Sequence, residues 1–224
     1  MSTQIKALVF DAYGTLFDVH SVIRLCDEIW PGKGTALSQL WRAKQLEYTW
    51  QRSLMQRYED FSHVTRAGLR YACNALGLRL GEAEQARLME AYLHLATYPE
   101  VQEALARLAG RKLAILSNGS PAMLEPVVAN AGLAQTLDAV ISVDALRIYK
   151  PDPRVYALAV EKLGVPTGAI GFVSSNCWDA LGAKAFGFRV FWCNRAGAPV
   201  DELGVLPDSE MRSLAELPAL IGAA

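Results

Sequence analysis

The chain has 224 residues, 52% of them hydrophobic and 20% charged, which is enough apolar material for one core carrying an insertion. A formal net charge of −1 leaves no basic field to hold nucleic acid or an anionic membrane, so small-molecule chemistry is the expectation. No apolar run approaches the roughly 20 residues that span a bilayer, Met1-Ser2-Thr3-Gln4-Ile5-Lys6 lacks a signal-peptide layout, and Cys26, Cys73, Cys177 and Cys193 have no CxxC or zinc-like spacing. The expectation is a cytoplasmic protein without disulfides or structural zinc.

The first predicted strand is "KALVFD", an apolar run that stops at Asp11 and continues as Ala12-Tyr13-Gly14-Thr15. From about Val19 to Tyr98 no strand is credible, and Leu, Ala, Gln, Glu and Arg recur at helical spacing. Punctuation within this stretch falls at Pro31-Gly32-Lys33-Gly34, at Asp60-Phe61-Ser62 (a helix start), and at Leu76-Gly77 with Gly81. Tyr98-Pro99 opens a helix leading back to further strands at "RKLAILSN", "LDAVISV", "AIGFVSSN" and "FRVFWCN". Each of these runs is followed by a loop and a helical pattern. After Asn194 the tail is rich in Gly and Pro and reads as loop.

Strands alternating with helices predict an α/β fold, a Rossmann-like parallel sheet core with helices on both faces and an inserted all-helical cap domain. The division is residues 1–18 and 97–224 for the core and 19–96 for the cap. Ligands bind such sheets at the carboxyl ends of the strands. That rule singles out Asp11, Ser117 with Asn118, Asp144, Lys150, and Ser174-Ser175-Asn176 with Asp179.

Four stretches, "FDAYGTLFD", "LSNGS", "YKPDPRVYALA" and "VSSNCWDALGAKAFGF", fall in the order and spacing of the haloacid dehalogenase superfamily, which the chain resembles across its whole sheet domain. Most members resemble phosphatases, with a second aspartate where this chain has Tyr13 and a Gly-Asp pair where it has Ser174-Ser175. Both departures look like the L-2-haloacid dehalogenases. A halide leaving group needs no general acid, help worth roughly 10²–10⁴-fold to an alkoxide. Replacing a carboxylate by Ser175 weakens a Mg²⁺ site, so no metal and no organic cofactor are expected.

The resemblance implies hydrolysis of short L-2-haloalkanoic acids to D-2-hydroxy acids through an ester on Asp11. The substrate is itself a carboxylate, and two like charges at ~4 Å repel by roughly 4 kcal/mol at an effective dielectric of ~20. An ammonium, Lys150, between Asp11 and Asp179 answers this by keeping both ionised. Ser117 and backbone N–H groups near Asn118 would take the substrate carboxylate. Arg42 matches the family's halide-binding arginine, with Asn176 and Trp178 as helpers. Asp179 would activate water while Thr15, Ser174, Asn176 and Lys150 hold the acyl oxygens. Tyr156, Tyr13, Leu46 and Phe61 would shape the pocket. A homodimer formed through the cap is implied as well.

Each residue also has a plainer reading. Asp179 could cap the helix through Ala180 and Ala183, Lys150 could be a solvated loop lysine, and only the motif separates Arg42 from the helix-face arginines Arg52, Arg57, Arg66 and Arg70. Trp30, Trp41 and Trp50 read as packing for the insertion, and His20, His63 and His94 have no matched partners. Two rival functions stand: a Mg²⁺-dependent small-molecule phosphatase of the same superfamily, and a catalytically silent module that binds carboxylates.

Overall fold

The computed structural model describes residues 4–222; the start of the N-terminal segment (Met1, Ser2, Thr3) and the two last residues of the outlined core domain lie outside them. A six-stranded, wholly parallel sheet forms the centre, in the order β3-β2-β1-β4-β5-β6. The strands are β1 (Ala7–Phe10), β2 (Lys112–Ser117), β3 (Ala139–Ser142), β4 (Ile170–Ser174), β5 (Arg189–Cys193) and β6 (Ser209–Met211). Every residue of β1 and β4 is buried, as continuous apolar runs require when helices cover both faces of a parallel sheet.

The strand order reverses at β1. Successive strands run outward through β2 and β3 on one side, then through β4, β5 and β6 on the other. This is the switch point at which a crevice opens beyond the strand ends, and Asp11 is the first residue past β1.

Between β1 and β2 the chain builds α1 (Ile23–Ile29), α2 (Gly34–Leu54), α3 (Phe61–Ala75), α4 (Glu82–Ala91) and the short α5 (Val101–Ala106). The long α2 and α3 pack side by side. Asp60 caps α3 as its sequence position predicts, accepting from the His63 N–H at 2.9 Å. Helices α6 (Pro121–Asn130), α7 (Pro153–Leu163) and α8 (Cys177–Phe186) follow β2, β3 and β4, and α9 (Leu217–Leu220) closes the chain.

One expectation is corrected. The tail after Asn194 is not loop throughout, because Ser209–Met211 adds β6 to the sheet edge. Three residues with a glutamate in the middle carry no strand signature. What makes them a strand is register against β5, fixed where the Asp208 N–H donates to the Val190 carbonyl and the Asp208 carboxylate accepts from the Val190 N–H.

Candidate active site

Asp11 leaves β1 6% exposed and meets donors on both oxygens. Oδ2 accepts from the Thr15 hydroxyl at 3.0 Å and from Asn176 Nδ2 at 2.8 Å, and Oδ1 accepts from Lys150 Nζ at 3.1 Å. The turn that returns Thr15 to its own strand end passes through Gly14 at φ +96°, a conformation natural only to glycine. Thr15 is itself oriented, because its Oγ1 accepts from the Ser175 N–H at 2.8 Å.

Lys150 is 1% exposed, and its ammonium also donates to Asp179 Oδ2 at 2.9 Å. Burial alone would lower its pKa, but Asp11 and Asp179 outweigh burial and hold it above the ordinary lysine value. Asp179, in the first turn of α8, is fully buried and also accepts from the Tyr156 hydroxyl at 2.9 Å. Its pKa is pushed up to about 6, chiefly by burial, with Lys150 opposing and Asp11 adding. Its carboxylate therefore faces the cluster rather than capping α8. Tyr156 is brought there by the close approach of α7 and α8 at Gly182, where a Cβ would lie 2.6 Å from the Tyr156 hydroxyl oxygen.

Arg42 arrives from α2. It donates to Gln45 Oε1 at 2.7 Å, to the Tyr13 carbonyl at 2.8 Å and, more weakly, to Asn176 Oδ1 at 3.4 Å. All three acceptors are neutral, and burial draws its pKa below the ordinary arginine value. A sequestered cation with only neutral partners is a ready anion site.

Beside it stands Tyr13, with its ring 5.3 Å from that of Phe61 and its hydroxyl buried without a hydrogen-bond partner among the described residues, while Trp178, in the first turn of α8, packs edge-on to Trp50 at 5.3 Å. Trp50 thus reaches across to α8 rather than packing only within the insertion. Leu46 is half-buried, one turn beyond Arg42 on α2. Ser117 is buried, its Oγ accepting from the Gly119 N–H at 3.0 Å, while Asn118 Oδ1 accepts from the Lys150 N–H at 3.0 Å. Asn118 therefore aligns the lysine backbone. The Ser174 hydroxyl does not turn to Asp11; its bonds are to the Asn176 backbone, at 3.2 and 3.4 Å, shaping the loop that presents Asn176. Asp144 lies away from this cluster and accepts from the Tyr58 hydroxyl at 2.6 Å.

Three contributors had escaped the sequence reading. Gln45 holds Arg42 and is held in turn by its own bond to Thr65 at 2.7 Å; its signal was the i+3 spacing on a helix. The Ser175 backbone N–H has no side-chain signature at all. Arg195 donates to the Thr15 carbonyl at 3.1 Å, stacks over Tyr98 and pairs with Glu100, and it sits just beyond β5 where the sequence reads as loop.

The arrangement combines a desolvated carboxylate on three donors, a second carboxylate sharing its ammonium, and a separate guanidinium on neutral partners. Where a divalent ion would bridge carboxylates, the Lys150 ammonium stands, and among the described residues no group of three His, Cys, Asp or Glu side chains could hold a metal.

A family model described as haloacid dehalogenase-like hydrolase matches residues 5–187. The chain is 53% identical over 212 residues to an (S)-2-haloacid dehalogenase from Pseudomonas sp. (strain YL), covering 94% of this chain and 91% of that one. It is 50% identical over 207 residues to a haloacetate dehalogenase from Moraxella sp. (strain B), covering 92% of each. An L-2-haloacid dehalogenase from Xanthobacter autotrophicus, solved with chloropropionic acid covalently bound, superposes with a TM-score of 0.93 at 45% identity, covering 98% of this chain and 99% of that one.

Proposed function

The chain belongs to the haloacid dehalogenase-like hydrolase family, and from that premise we propose that it hydrolyses short (S)-2-haloalkanoic acids to D-2-hydroxy acids through an ester on Asp11. One observation carries the reading: the buried Asp11 carboxylate and the Arg42 guanidinium, whose acceptors are all neutral, are both bridged by Asn176. A nucleophile and a waiting anion site are what displacement of halide needs.

Asp11 Oδ1 accepts a single bond, so it keeps the freer lone pairs and attacks C2. The new O–C2 bond forms as the carbon–halogen bond breaks on the opposite face. Halide leaves with the bonding pair toward Arg42, with Asn176 and Trp178 beside it. Inversion at C2 follows from back-side attack. Oδ2, held by Thr15 and Asn176, becomes the carbonyl oxygen of the ester, and the same two donors stabilise the negative charge that builds on it when water adds. Asp179 takes the proton of that water, a task suited to a carboxylate with a raised pKa. Collapse breaks the Asp11 Cγ–Oδ1 bond; Oδ1 departs as the hydroxyl oxygen of the hydroxy acid with the proton left on the added water oxygen, Asp179 gives the proton it took to solvent, and the Asp11 carboxylate is restored with the oxygen from water.

Ser117 takes the substrate carboxylate in this reading, together with backbone N–H groups at the entry to α6. Tyr13, Leu46 and Phe61 wall the pocket, with Tyr156 behind Asp179. Lys150 supplies the charge that Mg²⁺ would otherwise bring, so turnover is metal-independent. Residues 19–96 act as a cap over the 1–18 and 97–224 core, in a cytoplasmic homodimer. Sizing should then give a species of twice the 24.5 kDa chain mass.

The deciding experiment measures halide release from separate (S)- and (R)-2-chloropropionate in EDTA, for the wild type and Asp11→Asn. Release from the (S) form alone, lost in the variant, is expected. A folded protein silent on both, yet cleaving p-nitrophenyl phosphate with Mg²⁺, would replace this reading with the phosphatase.

A further inference from the structure

A cleft of about 1120 Å³ separates the end of α2 and the segment after it from the loop that leads into α7. Trp50 lines it, and so does Lys150, whose side chain is itself fully buried against Asp11, so the cleft floor lies at the backbone of the residue whose ammonium holds the nucleophile. Its charged lining is unbalanced. Arg154 is paired with Asp152 at 2.8 Å and Lys150 with the two site aspartates, but Arg52, Arg57 and Arg147 have no carboxylate partner among the described residues. Arg52 donates to the Arg57 carbonyl at 3.1 Å and lies 3.3 Å from His63, while Arg147 lies over the Tyr58 ring at 5.2 Å. Three uncompensated cations around one opening contrast with a chain whose net charge is −1.

We propose that this cleft is the route by which small carboxylates enter and halide leaves, and that Arg52, Arg57 and Arg147 form a peripheral anion-recruiting rim at its mouth. The proposal rests on the dehalogenase reading for the identity of the anion. Low-dielectric walls lined by one sign of charge focus the field and raise the local anion concentration. One charge about 10 Å away through water changes that concentration about twofold, and the effect is screened once the Debye length falls to a few ångströms.

A charge ladder tests this without touching the site. Gln56 lies exposed on the cleft rim, and the hydrogen bonds at Arg57, with Arg52, are made by its backbone N–H and carbonyl, so Gln56→Lys, Arg57→Gln and the double variant Gln56→Glu/Arg57→Gln change charge on solvated positions. At about 10 mM ionic strength, kcat/KM for (S)-2-chloropropionate should rise about twofold in the first, fall about twofold in the second and fall about fourfold in the third. The values should converge above ~0.5 M sodium sulfate, with kcat unchanged throughout. Iodide quenching of the Trp50 fluorescence, isolated by difference from Trp50→Phe, should follow the same order, and quenching by neutral acrylamide should not. Equal kcat/KM along the ladder, or kcat moving with it, overturns the proposal. If no variant releases halide, the dehalogenase reading fails while iodide quenching still decides the rim.

Discussion

The two halves of the site are built on different terms. The sheet half, formed by Asp11, Thr15, Lys150, Asn176 and Asp179, is a closed mesh in which each member bonds at least one other member or the strand-end backbone. The half from the helical insertion brings one charged side chain, Arg42, on neutral partners, and its other ties to the core include Tyr58 to Asp144 at 2.6 Å, Tyr149 to the Glu59 carbonyl at 2.5 Å, the Tyr149 N–H to Ser53 Oγ at 3.2 Å and Asn130 to the Leu93 carbonyl at 2.7 Å. The mesh sets one ammonium between two carboxylates, and the negative charge left over is held by the neutral donors of Thr15, Asn176 and Tyr156. The Arg42 charge of the inserted half feels Asp11 at a distance but has no anion bonded to it until one arrives. Stability should therefore reside in the first half, and catalytic discrimination in the second.

Lys150→Met should break the contrast most severely. It leaves two buried carboxylates facing each other, a loss of about 3–5 kcal/mol at neutral pH and of about 10³-fold or more in halide release. Because protonation of one carboxylate relieves the repulsion, the variant should regain stability as pH falls, which a series of thermal melts would read.

Arg42→Ala should do the converse. Halide release drops by about 10²–10³-fold, the cost of one removed charge-stabilising donor, while the melting temperature is held or raised because a sequestered, unpaired cation is gone. A large loss of stability would show that Arg42 belongs to the structural mesh after all.

A smaller effect sharpens the roles inside the mesh. If Asp179 is the base, activity falls as pH drops through about 6, since its protonated form cannot take a proton from water. The Tyr156 hydroxyl lowers that pKa by bonding the ionised form, so Tyr156→Phe should move the acid limb upward by roughly one unit, the worth of one hydrogen bond. A pH–rate profile checks it, and an unmoved limb would assign the limb to another group.

The smallest effect tests the tie between halves. Tyr58→Phe removes a bond to Asp144 and should cost about 1 kcal/mol in chemical denaturation with a several-fold fall in kcat. Burial and Asp144 both raise the Tyr58 pKa, so the wild-type tie persists through alkaline pH.

The sequence by itself determined the elements whose signal is local. Apolar runs mark β1 to β5, helical spacing marks the insertion, Asp60 marks the start of α3, and four motifs mark most of the residues that surround Asp11. Only the tertiary structure decided the rest. Lys150 and Asp11 are 139 residues apart, and Asn176 and Asp11 are 165 apart, so their meeting depends on strand order. Gln45, the Ser175 N–H, Arg195 and β6 owe their parts to neighbours that folding brings, while Ser174 and Asn118 bond backbone that no pattern of their own could specify. Hydrophobic periodicity reports which face of an element is buried. A hydrogen bond depends on where two distant elements stand to within a few tenths of an ångström, and that is set by the packing of the whole fold.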